Sequence, residues 1–260
     1  MDRVNIWGLM NALVAIVNSS SCDDAEVTLA KHFLLNYRHL SDLNIYDVAE
    51  ECFVSRATAR RMSQSLGFEN FKGMKARYEE FHESFSFYRT PMGGDSTTMA
   101  QQLYMMARDM DAQIKGQPME QLAERIADSR EVIFVSSDLY SGQSSNFQKA
   151  MIFSGKMVRV VSNVYENNAV LKGTEPEDLL ILTSVSGAFA RKTLELIRKL
   201  NAYKLLLTTC RAPELEDAYN EVRYMSRTLQ SQTRNVYALF GVEYYLENIF
   251  SAYLKGYAKY

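Results

Sequence analysis

The stretch IYDVAEECFVSRATARRMSQSLGFENFKGMK, residues 45–75, decides how the first part of this chain folds. Apolar residues recur in it at helical intervals of three and four, first at Ile45, Val48, Ala49 and Cys52 and then at Ala59, Met62 and Leu66. Ser55 is a good N-cap for the second helix, and Gly67 is a good stop. The pattern predicts two short helices joined by a tight turn, which is a helix-turn-helix.

The second helix carries a basic face opposite its apolar stripe. Arg56, Arg60 and Gln64 are spaced four residues apart, and Arg61 lies beside them. Arginine bonds guanine edges or neutralises phosphates, and a helix N-terminus can receive a phosphate oxygen. This face predicts DNA contact; the alternative is a solvated basic face on an ordinary helix hairpin.

The order and spacing of these residues resemble the N-terminal domain of the MurR/RpiR transcriptional regulators. The resemblance rests on Val54, Ser55, Arg56, Ala57, Thr58, Arg61, Leu66, Gly67, Phe68, Phe71 and Lys75. It implies a recognition helix that carries Ser55, Arg56, Thr58 and Arg61. Asn70 stands where the family often has glycine, and we expect little effect on DNA contact. The predicted contacts to a double-stranded DNA operator are Ser55, Arg56, Thr58, Arg60, Arg61, Gln64, Lys72 and Lys75.

The composition fits two globular domains. The chain has 260 residues, of which 47% are hydrophobic, and its formal net charge is −2. The basic residues near the predicted recognition helix are therefore offset elsewhere, and we expect the charge to be divided between the domains. Three scattered cysteines and three histidines show no metal-ligand or disulfide spacing, so we expect no metal and no cofactor.

The amino-terminal stretch needs to be distinguished from a targeting segment. Residues 6–17 are apolar enough to suggest a short signal-peptide core, but Asn5 and Asn11 interrupt the run and no small-residue cleavage site follows. The apolar positions instead follow one helical face. No stretch is long and apolar enough to span a bilayer. We expect a cytoplasmic protein without a membrane partner.

A change of amino-acid composition marks the predicted domain boundary. Residues 84–98 are rich in serine, threonine, glycine and proline, which predicts a linker between a helix-turn-helix domain at 1–83 and a second domain at 99–260. Before the linker, the spacing predicts a helix from Phe68 to Phe81, with Tyr78 among its buried residues.

The second domain alternates helices with short apolar runs. Helices are predicted at 99–115, 119–128, 142–153, 188–200 and 231–260, and strands at 131–135, 157–161, 179–183 and 204–208. Nearly all-apolar strands separated by helices indicate a parallel sheet covered on both faces. The apolar terminal helix predicts either a dimer interface or packing on its own sheet.

Two loops of this sheet are candidate ligand sites, because ligands bind beyond the carboxyl ends of parallel strands. Loop 1 is SSDLYSG at 136–142. Loop 2 is SVSG at 184–187, which offers hydroxyls and free N–H groups at a predicted helix start, the equipment for holding phosphate. The alternative is a serine N-cap on an ordinary turn.

This half of the chain resembles the SIS (sugar isomerase) domain. Asp178, Ser184, Ser186 and Gly187 follow the family's pattern, which implies that the two serines bind the phosphate of a phosphosugar. Phe189 replaces a common threonine, and Ser136, Asp138 and Tyr140 replace a glycine-rich motif; Ser144 is one of the serines that would compensate. The predicted effector contacts are Ser137, Ser141, Ser184, Ser186 and Gly187.

The two resemblances together predict a DNA-binding transcriptional regulator, a homodimer or tetramer, controlled by a phosphosugar-like effector. Two alternative hypotheses remain. In the first, the SIS domain is a dimerisation scaffold that binds no ligand. In the second, the chain is a sugar-phosphate isomerase with Glu243 or Glu247 as its general base. We expect no catalytic residues under the regulator hypothesis.

Overall fold

The computed structural model describes residues 9–19, 24–39, 42–76, 86–92, 97–162, 169–231 and 234–258, except for the side chains of Arg38 and Asp138. The chain forms two compact units, Met1–Ser86 and Phe87–Tyr260. The first unit is helical, and the second is a parallel sheet with helices on both faces. The predicted fold class is confirmed.

Five α-helices and one short 3-10 turn at Tyr37–His39 make up the described part of the first unit. The helices are α1 Leu9–Ser19, α2 Ala25–Leu35, α3 Ile45–Glu51, α4 Arg56–Ser65 and α5 Phe71–Lys75. The helix predicted from Phe68 begins later, because Asn70 caps α5 by accepting a hydrogen bond from the Gly73 N–H at 2.9 Å. Tyr78 and Phe81 lie outside the described residues.

The core of the first unit is formed by the predicted stripes together with α1 and α2. Val48 and Cys52 of the α3 stripe meet Ala59, Met62 and Leu66 of the α4 stripe in one apolar cluster. Leu13, Leu29 and Phe33 complete it and are fully buried. Burial of these side chains supplies most of the stability of such short helices, which are marginal alone.

The second unit alternates strands and helices as predicted, with one further strand. Its strands are β1 Val132–Ser136, β2 Val158–Val161, β3 Leu179–Ser184, β4 Tyr203–Thr208 and β5 Glu221–Tyr224. Its helices are α6 Met99–Lys115, α7 Met119–Asp128, α8 Ser141–Phe153, α9 Ala169–Lys172, α10 Ala188–Lys192, α11 Leu194–Arg198, α12 Pro213–Glu216 and α13 Val242–Gly256. A 3-10 turn covers Asp138–Tyr140, and a π-helical turn at Tyr237–Gly241 leads into α13.

All five strands are parallel, in the order β2-β1-β3-β4-β5. Successive residues of each inner strand face opposite sides, so Val132 and Phe134 enter one apolar cluster while Ile133 and Val135 enter the other. Both clusters are covered by helices. This explains why the inner strands are continuous apolar runs rather than alternating ones.

Several details differ from the prediction. The terminal helix predicted over 231–260 is the π-helical turn at Tyr237–Gly241 followed by α13, Val242–Gly256. The helix predicted over 188–200 is two short helices that part at Thr193, whose hydroxyl donates to the Phe189 carbonyl at 2.9 Å. Side-chain bonds of this kind compete with regular helix geometry. The strand β5 was not predicted, because its sequence EVRY is short and polar. Among the described helices, none is long and apolar enough to cross a membrane.

Candidate functional site

The N-terminus of α4 is fixed by its own side chains. Ser55 caps the helix as predicted, since its Oγ accepts from the Thr58 N–H at 3.1 Å, and the two hydroxyl oxygens lie 2.8 Å apart. Gly67 ends the helix in the left-handed conformation, with φ of +87°. The hydroxyls of Ser55 and Thr58 therefore already serve the fold at this end of the helix.

The exposed face of α4 carries the predicted basic set. Arg56, Arg60, Arg61 and Gln64 are all exposed, while Ala59 and Met62 are buried on the opposite face. Arg61 leans back along the helix, where its Nε donates to the Ala57 carbonyl at 3.4 Å. We call Arg56, Arg60, Arg61 and Gln64 the reading face. Its guanidinium and amide groups suit hydrogen bonds to base edges or phosphates.

The charge is divided between neighbouring helices, not between the domains as expected. The adjacent helix α3 carries Asp47, Glu50 and Glu51, all exposed. In residues 1–83 as a whole, acidic residues outnumber basic ones. A polyanion is therefore attracted to α4 and repelled from the carboxylates of α3.

The two lysines of α5 differ in their surroundings. Lys72 is exposed. Lys75 is partly buried, and its ammonium donates to the Leu43 carbonyl and lies 6.0 Å from the centre of the Phe71 ring. Lys75 thus ties α5 to the loop before α3, a structural role that the sequence pattern did not reveal.

In the second unit, the two predicted loops follow adjacent strands. Loop 1 follows β1 and loop 2 follows β3; these strands are paired in register, with Ser136 opposite Thr183. The chain order reverses between β1 and β3, because β2 lies on one side and β4 on the other. Such a switch point opens a crevice beyond the strand ends.

Loop 2 is a tight turn that requires glycine. Gly187 has φ of +81°, and a Cβ there would lie 2.6 Å from the Cβ of Cys210. The Gly187 N–H donates to the Ser184 carbonyl at 3.0 Å. Ser184 is buried, and its Oγ accepts from the Ala190 N–H at 3.2 Å; Ser186 is partly exposed, with its Oγ 3.4 Å from the Ala188 nitrogen.

The end of β4 anchors loop 2. The Thr208 hydroxyl donates to the Ser184 carbonyl at 2.6 Å, and the Thr209 hydroxyl donates to the Val185 carbonyl at 2.7 Å. Phe189, the expected departure from the family pattern, packs partly buried against one apolar cluster. The loop is therefore held in shape by the protein itself. Because α10 has only five residues, its dipole adds less to an anion site than the predicted long helix would.

Arg191 is a cation beside loop 2 that the sequence did not single out. Its Nη2 is 3.2 Å from the Cys210 sulfur, and its Nε donates to Glu214 at 3.1 Å. The guanidinium is also close to the turn, since a Cβ added to Gly187 would lie 3.5 Å from its Nη1. The hydrogen bond to Glu214 raises the pKa of Arg191 above its ordinary value. Its side chain is 48% exposed, so it can reach an anion.

Loop 1 is more closed than loop 2. Ser136 and Ser144 are buried and hydrogen-bonded to each other at 2.9 Å, and the Ser144 hydroxyl also bonds the Tyr140 carbonyl at 2.8 Å. Tyr140 is buried, and burial raises the pKa of its phenol. Ser137 and Ser141 remain partly exposed. The Asp138 side chain lies outside the described part of the structure.

Two further groups stand apart from the predicted site. Asp178 belongs to the opposite, amino end of β3, where it is 1% exposed and bonded by Arg130 at 2.9 and 2.7 Å. It is a structural clamp. Glu243 on α13 has one buried oxygen, and among the described residues no side chain or N–H bonds that atom. Burial and the nearby charge of Glu247 raise the pKa of Glu243, while an interaction with Asn146 lowers it.

The sequence profile described as "Helix-turn-helix domain, rpiR family" matches residues 10–83. This part of the chain is a helix-turn-helix domain of the rpiR family. The helix-turn-helix inferred from residues 45–75 is therefore confirmed by both the structure and the profile.

Relatives outside the profile are distant. The HTH-type transcriptional regulator GlvR of Bacillus subtilis (strain 168) is 26% identical over 173 residues, which cover 65% of this chain and 63% of that protein. The NanR protein of Vibrio vulnificus, solved in complex with ManNAc-6P, is 15% identical, with a TM-score of 0.51 over 96% of this chain and 92% of that one. This chain shares the NanR fold. The sugar isomerase domain of an RpiR transcription factor from Sphaerobacter thermophilus is 16% identical, with a TM-score of 0.46, over 59% of this chain and 94% of that one.

Proposed function

We propose that this chain is a cytoplasmic, dimeric, DNA-binding transcriptional regulator whose SIS-type unit binds a phosphosugar-like effector. The reading face carries this proposal: four long polar side chains, three of them arginines, are exposed together on the helix that follows the turn of a helix-turn-helix. The match of residues 10–83 to the helix-turn-helix profile of the rpiR family supports it.

In the proposed complex, α4 enters the major groove of an operator. Arg56, Arg60 and Gln64 contact base edges or nearby phosphates, and Arg61 and Lys72 contact the flanking backbone. Ser55 and Thr58 keep the helix start in shape. Lys75 is left out of the contact set, because its ammonium already bonds Leu43.

Selection of binding sites from a random duplex pool, with the full-length chain, tests this function. We expect enrichment of a palindrome with half-sites about one helical turn, roughly 34 Å, apart. The Arg60→Ala/Arg61→Ala variant should lose that enrichment while keeping its thermal unfolding profile, because both residues are exposed. Absence of any enriched sequence with the wild-type chain at modest salt would contradict the proposal.

A dimer is proposed because two copies are needed to read two half-sites. α6 and α13 border an apolar groove of about 460 Å³, lined in part by Leu103, Met106 and Phe240. Phe240 is the large apolar residue of this groove that is exposed, at 39%. Sedimentation of the wild-type chain and of the Phe240→Glu variant tests whether this groove holds the dimer. A variant that sediments as the same dimer as the wild-type chain would contradict its use.

The effector site is proposed at loop 2 and the open part of loop 1. Ser186, Ser137 and Ser141 are partly exposed, Ser184 and Gly187 shape the turn, and Arg191 supplies positive charge. A phosphosugar held at 100 times its dissociation constant should stabilise the folded chain by about 2.7 kcal/mol. A thermal-shift screen of sugar phosphates measures this, with Arg191→Ala as the variant that loses the shift.

The ligand-free scaffold is the second candidate function for the SIS-type unit. It is favoured by loop 1, where Tyr140 is buried and Ser136 and Ser144 satisfy each other. A scaffold would show no shift with any sugar phosphate while still selecting an operator. The isomerase alternative requires Glu243 or Glu247 to act as base, and a sugar-phosphate turnover assay with Glu243→Gln as control decides it.

A further inference from the structure

Tyr46 is an exposed aromatic residue beside the reading face. It is the second residue of α3, and 63% of its surface is exposed, so core packing does not account for the ring. The turn between the helices brings Arg56, the first residue of α4, against it. The central carbon of the Arg56 guanidinium lies 4.7 Å from the centre of the Tyr46 ring.

The main chain on the Tyr46 side of this stack is fixed. Asn44 caps α3, and its side-chain oxygen accepts from the N–H groups of Tyr46 at 2.8 Å and Asp47 at 3.0 Å. Arg56 follows directly after the Ser55 cap of α4. Two capped helix starts therefore present the aromatic ring and the guanidinium to each other, and the ring limits the rotamers available to Arg56.

Stacking uses the face of a guanidinium and leaves the N–H groups at its edge open. Those edge donors form the fork that matches O6 and N7 of guanine, whereas a phosphate requires mainly charge. Restricting the side chain before binding lowers the conformational entropy lost on contact. A planar cation held at the start of a recognition helix is thus suited to reading one base.

We propose that Tyr46 is a positioning residue that holds the Arg56 guanidinium over its ring so that the edge of that group reads a guanine in each operator half-site. The proposal rests on the proposed DNA-binding function and adds the base class and the residue on α3 that supports the contact. Arg60 and Arg61 supply no comparable stack among the described aromatic contacts of the first unit.

The test uses the full-length chain and the operator obtained by selection. Tyr46→Phe retains the ring and should keep wild-type affinity and base preference. Tyr46→Leu retains apolar bulk without an aromatic face, and should weaken binding to the selected operator by about 3- to 10-fold. It should also relax the preference for guanine at one position per half-site. Arg56→Lys should relax the same position, because an ammonium lacks the planar fork.

A double-mutant comparison separates positioning from a direct contact by Tyr46. Once Arg56→Ala has removed the guanidinium, adding Tyr46→Leu should cause no further loss of affinity. Equal losses in both backgrounds would overturn the proposal. So would a loss by Tyr46→Leu that is uniform over all sequences and lowers the salt dependence, since that result marks a phosphate contact.

The remaining outcomes are also decisive. Unchanged binding by Tyr46→Leu, or equal weakening by Tyr46→Phe and Tyr46→Leu, would contradict the role of the ring. Wild-type affinity and preference in Arg56→Lys would contradict the fork even if a Tyr46 variant fails to fold. If the wild-type chain selects no operator, the DNA-binding function itself fails, which is distinguishable from failure of the stack alone.

Discussion

At the scale of single residues, Phe53 is the one non-glycine residue with a positive φ in the part of the chain that the structure describes. It lies in the turn before α4 with φ of +53°, and 97% of its surface is exposed. A left-handed conformation is unfavourable for a bulky residue with a Cβ. The Val54 N–H nevertheless donates to the Ala49 carbonyl at 2.9 Å. Phe53 therefore ends α3 in the position that a left-handed glycine usually occupies after a helix.

Replacing Phe53 by glycine should stabilise the helix-turn-helix. We expect Phe53→Gly to be about 0.5–1 kcal/mol more stable than Phe53→Ala, because both lose the ring and only alanine keeps the Cβ. Hydrogen exchange of the α3 and α4 amides in the full-length chain measures this. Equal protection in the two variants would show that the backbone at residue 53 is not strained.

Gly187 should tolerate no side chain. Gly187→Ala places a Cβ against Cys210 in a left-handed conformation, and we expect about 2–4 kcal/mol of destabilisation. Gly142→Ala is the matched control, because a Cβ there meets nothing within 4 Å and alanine favours a helix. Urea unfolding, followed by exchange of the β3 and β4 amides, should separate the variants; similar midpoints would contradict the steric argument.

Residue chemistry alone predicted some of these features and not others. Ser55 and Gly67 were identified because a capping hydroxyl and a left-handed glycine have local causes. The roles of Lys75 and Arg191 were not predicted. The bond from Lys75 to Leu43 joins residues 32 apart, and Arg191 and Cys210 follow two different strands, β3 and β4. The sequence shows which side chains can make such contacts but not which ones meet.

At the scale of elements, one carboxylate joins the start of β3 to the start of β1. Asp178 accepts from Arg130 and from the N–H groups of Glu131 at 3.2 Å and Glu175 at 2.8 Å. Burial alone would raise the pKa of Asp178, but the hydrogen bonds from Arg130 and the two N–H groups, with the charge of Arg130, lower it below its ordinary value of 3.8.

The lowered pKa of Asp178 fixes the sign of its pH dependence. A carboxyl with a depressed folded-state pKa stabilises the fold above its ordinary pKa, and this stabilisation is lost as the pH falls through the lowered value. We expect Asp178→Asn to cost about 1–3 kcal/mol at neutral pH. The difference from wild type should shrink below pH 3.8. Urea unfolding at several pH values measures this, and a constant difference would contradict the clamp.

Elements were predicted where their pattern was strong. The inner strands were identified because both of their faces are buried, which makes the runs continuously apolar. The edge strand β5 pairs with β4 only, and its polar residues have no such requirement. The break between α10 and α11 at Thr193 depends on a side-chain bond to the backbone, and helical periodicity does not detect it.

At the scale of the whole molecule, the sequence predicted the two loops but not their adjacency. A right-handed crossover can add the next strand on either side of β1, so the order β2-β1-β3 is not determined by the pattern of apolar runs. That order is what brings loop 1 and loop 2 to one crevice.

The net charge of −2 has a consequence for DNA binding, because attraction must come from a local surface. We expect Lys72→Ala to weaken binding similarly on all sequences and to reduce the salt slope by about 1 per half-site. Lys199→Ala, an exposed lysine of the second unit, is the matched control and should change neither. Loss of base preference in Lys72→Ala would contradict a phosphate contact.

In helix α4, the side chains that stabilise the fold and the side chains that face solvent belong to different residues. Ser55, Thr58 and Gly67 define its ends, and Ala59 and Met62 fill the core. In the part of the chain that the structure describes, Arg60, Arg61 and Gln64 make no side-chain hydrogen bond to another element. Exchange of those three residues therefore costs little stability. Under the proposed function, operator preference can therefore diverge among descendants of this chain without loss of fold, and the first unit is a favourable starting point for retargeting.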